Sequence, residues 1–579
     1  MFKNFLKIFF EIITLIKNYK KIHLIVVLIF FTILSSIFEI LTIGSLIPLM
    51  EVLIDPGAYI NNSDYIFKRI SILFNENDLR KIILFAFVAL IIISYLLKIL
   101  IIWFSALITY DISLYLNEEV FENTISKKYK YFSDSHTSIF ISNQEKTEHV
   151  KGMIFSFINL FISLILSTSI ILFLFYLNYK IAIIISLSAI ISYLLVFIKF
   201  KEKLNYISSE NVITINNRFK FLIESSENIK EIKLRDLKSF FVKKFYEINL
   251  RIKKFKISST LISNLPSQVI LMLGTIFLSV LMFYYSSSDQ GLVNNIPFLA
   301  ALVLAIQKIF PQAQNVYVSL TGIKQFRNSL FDLKKIVNLE KNNIKNKSNE
   351  IIELNNFFEL KNIFFKHNKT QENLFENANL KFEINNMYGI QGESGLGKTS
   401  IVDIITGLLP ASGDMYVDGN KIDLYENNSW QKNIAHLPQN SLLTDTTILE
   451  NIAYGEKYEN ISSKNVEEAA KKANIYDFIQ KTEKGFLTTI GEKGIRISGG
   501  QRQRISIAKL FYLNKKIMIL DEATNALDVN NEEKIYKSLK ESIRNKIIIV
   551  ICHNLKMNKH FDYIYNLKDK KFILKDKKN

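Results

Sequence analysis

The sequence predicts two architectures in one chain: a polytopic α-helical membrane domain of six transmembrane helices, then an α/β domain of the P-loop type. Three observations carry this. Apolar stretches of membrane length recur through the first 320 residues. A polar run at 339–350 then breaks the pattern. Beyond it, strand-like and helix-like segments alternate around Gly392-Glu393-Ser394-Gly395-Leu396-Gly397-Lys398-Thr399, which satisfies GxxxxGK[ST] without a mismatch.

Composition sets the outer limits. The 579 residues are 49% hydrophobic, yet Lys+Arg (72) exceed Asp+Glu (54), for a net charge of +18. Nucleic acid is one partner for such charge, but basic loops on the cytoplasmic side of a membrane account for it better, and no nucleic-acid partner is expected. The single cysteine, Cys552, excludes an internal disulfide framework and a cysteine-rich metal site. Residues 1–22 mix Lys with apolar residues and lack a small-residue cleavage site, so no cleavable signal peptide is expected.

A membrane-spanning helix takes about 20 mostly apolar residues. Spans are expected near 23–50, 82–110, 153–177, 180–199, 264–286 and 295–316. Connectors 111–152 and 200–263 are rich in Lys and Glu and read as helices continuing out of the membrane. Lys127, Lys128, Lys130 and Lys146 lie in the first; Lys201, Lys203, Arg218, Lys220, Lys230 and Lys233 are among those in the second. The opposite loops at 51–81 and 286–294 carry few or none. Both connectors, both termini and the α/β domain are therefore placed in the cytoplasm, with the chain multi-pass in a bacterial inner membrane.

In the α/β domain, Met387–Gln391 reads as the strand before the glycine loop and Ser400–Thr406 as part of the helix after it. The loop's N–H groups and the helix N-terminus suit the phosphates of ATP. Lys398 is placed to bridge the β- and γ-phosphates and the Thr399 hydroxyl to bind Mg²⁺. Downstream, the apolar run Ile517–Leu520 ends in Asp521-Glu522. The first carboxylate is expected to hold Mg²⁺ through water and the second to polarise the attacking water, since one carboxylate cannot serve both.

With these residues in view, the C-terminal part resembles the nucleotide-binding domain of ATP-binding cassette (ABC) transporters, and the whole chain resembles an exporter-type half-transporter. Ile497-Ser498-Gly499-Gly500-Gln501 is similar to the family signature LSGGQ, with Ile for Leu. Gln439 in Leu437-Pro438-Gln439 matches the glutamine that reaches Mg²⁺. Asn525-Ala526-Leu527-Asp528 resembles the D-loop, Ile551-Cys552-His553 the switch histidine, and Thr489–Gly494 a stretch typical of exporters. The family usually stacks adenine on a Tyr where this chain has His367. An imidazole offers less stacking area, and a surface role for His367 is the alternative. The resemblance implies a membrane domain at 1–338, a linker at 339–350 and an ABC nucleotide-binding domain at 351–579. It implies nucleotide contacts along 392–400 (Gly392, Glu393, Ser394, Gly395, Leu396, Gly397, Lys398, Thr399, Ser400) with Gln439. Mg²⁺ contacts follow at Thr399, Gln439 and Asp521, and catalytic roles for Glu522 and His553. The partner subunit's signature, Ser498, Gly499, Gly500 and Gln501, with Asp528 of the D-loop, is implied across the γ-phosphate. A homodimer with two equivalent sites follows, a heterodimer being the alternative, and short helices near 132–140 and 224–233 resemble the family's coupling helices.

The cargo is read from charges within the spans, which are costly there unless they face a cavity or a partner. Lys98, Lys308 and Glu39 are such residues. The two lysines either line a cavity suited to an anionic headgroup, or snorkel or pair with Glu39. Within the family, the chain resembles bacterial lipid-linked oligosaccharide flippases of the PglK type, through Phe38-Glu39-Ile40, Lys308-Ile309-Phe310-Pro311 and an amphipathic external segment near 66–74. Ser267 and Asn315 stand where that subgroup has basic residues. The expected partners are membrane lipids, a glycolipid or other amphipathic substrate, and a second copy of the chain. The expected function is an ATP-driven exporter or flippase of a lipid-linked oligosaccharide. Another amphipathic cargo (lipid A precursor, peptide or drug) and an ATP-gated channel or regulator are the alternatives.

Overall fold

The computed structural model describes residues 10–14, 21–54, 76–134, 138–286, 291–338, 352–366, 372–425, 427–439, 443–491, 494–552 and 554–576. They fall into two units: Met1–Lys127 with Ser135–Asn343, and Lys128–Asp134 with Ile344–Asn579. The linker 339–350 and the external segment near 66–74 lie outside the described residues.

The first unit is helical. Its long helices are α1 (Ile22–Ile54), α2 (Glu76–Ile125), α4 (Ser138–Leu177), α5 (Tyr179–Glu227), α7 (Lys238–Ser286) and α8 (Gly291–Gln325). Helix α3 (Tyr129–Asp134) groups with the second unit, whereas α6 (Ile229–Leu234) and α9 (Arg327–Asn338) belong to the first. Apolar stretches of membrane length lie within these helices, whose further turns carry charged residues. Among the described residues, five helices are long and apolar enough to cross a membrane: Ile22–Ile54, Asp78–Ile125, Phe140–Leu177, Lys238–Phe283 and Asn295–Gln325. Of the six expected spans, five are matched by these helices among the described residues. The sixth expected segment, 180–199, is helical within α5 and carries no charge from Ile181 to Ile198, and several of its side chains lie outside the described set. Helix α8 packs on α4, and α1 on α2. Helix α1 also meets α4 closely at Gly44, where an added Cβ would lie 3.2 Å from Phe173 Cζ.

The second unit carries two sheets. One is antiparallel, in the order β2 (Phe375–Glu383), β1 (Phe357–Phe365), β4 (Ser412–Val417), β5 (Asn420–Lys421). Burial largely alternates along β1 and β2, the mark of strands with one face covered. The other runs β10 (Lys571–Asp576), β9 (Tyr563–Lys568), β3 (Asn386–Gln391), β8 (Ile547–Ile551), β7 (Ile517–Asp521), β6 (Ile434–Leu437), parallel from β9 to β6. The run Ile547-Ile548-Ile549-Val550-Ile551 is buried on both faces, as a central parallel strand must be. In register, Ile551 pairs with Ile390 of β3 on one side and Asp521 of β7 on the other. This brings the carboxyl ends of β3 and β7 to the same sheet edge, where α/β sheets bind ligands.

Candidate functional site: the carboxyl edge of the parallel sheet

The glycine loop leaves β3 and enters α10 (Lys398–Ile405). Gly397, the N-cap of that helix, has φ 104°, and a Cβ there would lie 2.5 Å from Leu374 Cδ2. Glycine is therefore required on both conformational and steric grounds. Gly392 and Gly395 also have positive φ, so the loop curls and presents its N–H groups as an anion cradle. Lys398 is 6% exposed, and its Nζ donates to the carbonyls of Gly392 (3.0 Å) and Glu393 (2.9 Å). Burial lowers its pKa, against the charges of Glu522 and Asp521. Thr399 sits at the exposed start of α10.

Asp521, 1% exposed, ends β7. Glu522 follows with φ 50°, left-handed backbone that a non-glycine residue rarely adopts. Such conformations persist where the surroundings over-determine them, typically at functional sites. Here the Glu522 N–H donates to Ile551 O (3.2 Å), while its Oε2 accepts from Gln439 Nε2 (2.8 Å) and Asn525 Nδ2 (3.1 Å). The structure thus brings together Gly392–Ser400, Gln439, Asp521 and Glu522.

The signature begins α15 (Gly499–Leu513). Ser498 caps it: its Oγ accepts from Gln501 N–H (3.3 Å), and Gln501 Oε1 accepts from Ser498 N–H (2.8 Å). This reciprocal box fixes the helix N-terminus. Gln503, one turn in, accepts from the Ala526 N–H at 2.9 Å. Gly500 faces the Ala526 carbonyl so closely that an added Cβ would sit 3.3 Å from it. The signature and D-loop are therefore one packed structure, with Asp528 capping α16 (Val529–Glu541). His367 and His553 lie outside the described residues.

Sequence reasoning missed Asp403 and Gln503. Asp403 lies on the buried side of α10; burial, reinforced by the charge of Asp521, raises its pKa to about 6. Its spacing of four residues from Thr399, one helical turn, could have signalled it. Nothing local in the sequence signals Gln503.

A nucleoside triphosphate fits this edge: a glycine-rich cradle, one ammonium and a helix N-terminus meet polyphosphate. The Thr399 hydroxyl, the Gln439 amide oxygen and the Asp521 carboxylate are the hard oxygen donors that Mg²⁺ takes.

In the membrane unit, Lys98 of α2 meets Glu39 of α1, with Nζ to Oε1 at 2.5 Å and Glu39 fully buried. Lys308 of α8 donates to Thr42 Oγ1. Both lysines line one cavity of about 440 Å³ with Thr42, Ser94, Gln307 and Gln312. The lysines thus border a cavity, and one of them is paired with Glu39. Ser267 lines a second cavity of about 240 Å³ beside Tyr193 and Gln314.

Comparison with known proteins agrees with this division. Residues 22–310 match the family described as ABC transporter transmembrane region, and residues 375–525 match ABC transporter. The ATP-dependent lipid A-core flippase of Syntrophus aciditrophicus (strain SB) is 27% identical over 376 residues, 63% of this chain and 61% of that protein. ABC transporter B family member 14 of Arabidopsis thaliana is 34% identical over 219 residues, 38% of this chain and 17% of that protein. In both cases the chain spans less than two thirds of the relative's length. The structure of a bacterial Atm1-family ABC exporter with ATP bound superposes with TM-score 0.77 at 21% identity, covering 96% of this chain and 95% of the other, which establishes the fold. A membrane region followed on the same polypeptide by an ATP-binding region is the fused arrangement of an ABC exporter half-transporter, and the chain belongs to the ABC transporter family.

Proposed function

We propose that the protein hydrolyses ATP to export or flip an anionic amphipathic lipid across a bacterial inner membrane, working as a homodimer with its ATP-binding domain in the cytoplasm. The observation that carries this reading is the pairing of Lys398, Asp521, Glu522 and Gln439 at one sheet edge with a cation-bearing cavity inside apolar helices. Glu522, oriented by Gln439 and Asn525, is the group that polarises the attacking water. Lys398 neutralises phosphate charge, and Thr399, Gln439 and Asp521 are the residues that would hold Mg²⁺. When bound, the metal neutralises developing charge on the transferred phosphoryl group. Ser498 would complete the second copy's site, because its capped helix presents an N-terminus to an anion.

The cargo reading rests on Lys98 and Lys308. Ammonium groups at membrane depth are tolerated where they serve a cavity or a counter-charge, and both conditions are met here. A lipid-linked oligosaccharide is the favoured cargo, and the relative named lipid A-core flippase supports a lipid one. The test is reconstitution into liposomes with a labelled polyprenyl-linked oligosaccharide and, separately, a lipid A-type glycolipid. ATP-dependent movement of one of them, absent with Glu522→Gln, is expected. Wild-type protein that moves neither refutes the lipid-export reading.

A further inference from the structure

Two lysines line the membrane cavity, and one carboxylate, Glu39, lies buried behind the lining. Glu39 is fully buried on α1, and Lys98 is its ion-pair partner at 2.5 Å. Lys308 lines the same cavity and donates to the Thr42 hydroxyl; among the described residues no carboxylate lies within ion-pair distance of it. Two ammonium groups against one carboxylate leave one positive charge. A buried carboxylate without a partner is strongly destabilising, so Lys98 is committed to Glu39. Lys308 is the cation whose charge remains for a ligand.

A second observation points to an oxyanion. Ser94 lines this cavity, is 1% exposed, and its Oγ has no hydrogen-bond partner. An unused hydroxyl near an ammonium is a donor set that phosphoryl or carboxylate oxygens accept from. The remaining polar lining, Gln307 and Gln312, adds amides and no charge.

We propose that this cavity binds a headgroup carrying a single negative charge, held by Lys308 and Ser94, and that Glu39 sets that limit by neutralising Lys98. The proposal rests on the reading of the protein as an exporter of an anionic amphiphile and names its substrate class: singly charged oxyanion lipids, phosphodiester or carboxylate, in preference to diphosphates, so that a lipid-linked oligosaccharide fitting the cavity is one joined through a single phosphodiester. A diphosphate brings a further negative charge for which the lining has no free cation, because Lys98 is already engaged by Glu39 behind it.

The test is calorimetric titration of the full-length protein in neutral micelles with didecyl phosphate, myristate and farnesyl diphosphate. Wild type is expected to prefer didecyl phosphate or myristate to farnesyl diphosphate by roughly tenfold, and which of the two binds better identifies the headgroup. Lys308→Gln should weaken both singly charged ligands by roughly tenfold. Glu39→Gln, equal in size but uncharged, should move the preference roughly tenfold toward the diphosphate. The double variant Glu39→Gln with Lys98→Gln restores one net charge and should restore the wild-type order, which keeps the test decisive if the single variant misfolds. A wild type that prefers the diphosphate, or an unchanged ratio in Glu39→Gln, or a double variant that prefers the diphosphate, overturns the proposal. The exporter reading fails separately: binding with the expected order but no ATP-driven movement of any amphiphile in vesicles defeats that reading and leaves the site intact.

Discussion

The side-chain amide of Gln439 donates to Glu522 Oε2 at 2.8 Å, joining residues on β6 and β7 margins that the sequence keeps far apart. The same oxygen receives the Asn525 amide at 3.1 Å, so the carboxylate is held from two directions. Left-handed backbone at Glu522 turns the side chain out of the strand to meet both. A base positioned this way is tied to the loop that carries Gln439, and its aim depends on that loop.

Glu522→Gln keeps the shape of this arrangement and removes the base. ATP binding should persist while turnover falls by about 10²–10³. Steady-state hydrolysis by purified protein is the measurement, and a wild-type rate would eliminate Glu522 from the chemistry.

Gly397→Ala meets two obstacles, the Leu374 side chain at 2.5 Å and φ 104°. ATP affinity should drop by at least about tenfold, and the ATP-binding domain should lose about 1 kcal/mol or more of stability. Adding Leu374→Ala removes the clash but not the backbone strain, so rescue should be partial. Full recovery in the double variant would show that space alone is the reason for glycine.

Shared sites make a complementation result. Lys398→Ala and Ser498→Arg homodimers should each be inactive, while mixed dimers gather both defects in one site and leave the other intact. Turnover should therefore reappear on mixing. Two single variants that each hydrolyse ATP normally would dismiss the composite site.

Asp403 gives a pH signature. Its folded pKa, about 6, lies above the usual value of 3.8 because of burial and then the charge of Asp521. The native state thus binds the extra proton, and stability falls as pH rises from about 4 to about 6. After allowance for solvent screening, Asp403→Asn should stabilise the ATP-binding domain by about 1 kcal/mol at pH 7.5 and by nothing below about pH 4. Thermal melts of both proteins across that range check it; a difference independent of pH would contradict the assignment.

The legible parts of this chain were those written in consecutive residues. The strand, loop and helix around Gly392–Thr399 form a single local unit, and Ile517–Glu522 announces a buried strand ending in acid. The unreadable parts join distant segments. Gln503 reaching Ala526, and Gln439 reaching Glu522, follow from parallel strand order and register, which no local pattern encodes. Lys98 and Glu39 were each visible as charges in apolar helices, but their pairing needed the packing of α1 on α2. The pairing also changes how the lysines are tested: Lys98→Ala strands a buried carboxylate, whereas Lys308→Gln removes charge without doing so.

The two hydrogen bonds from Lys398 to the carbonyls of Gly392 and Glu393 have a consequence for nucleotide discrimination. Any incoming ligand competes with partners the ammonium already has. A β-phosphate replaces two neutral acceptors with charged oxygens, a favourable exchange. Adenosine or AMP offers Lys398 no β-phosphate, so the side chain stays folded on its own loop. The site therefore reads phosphate-chain length through displacement, and mononucleotides should be poor competitors however well their base fits.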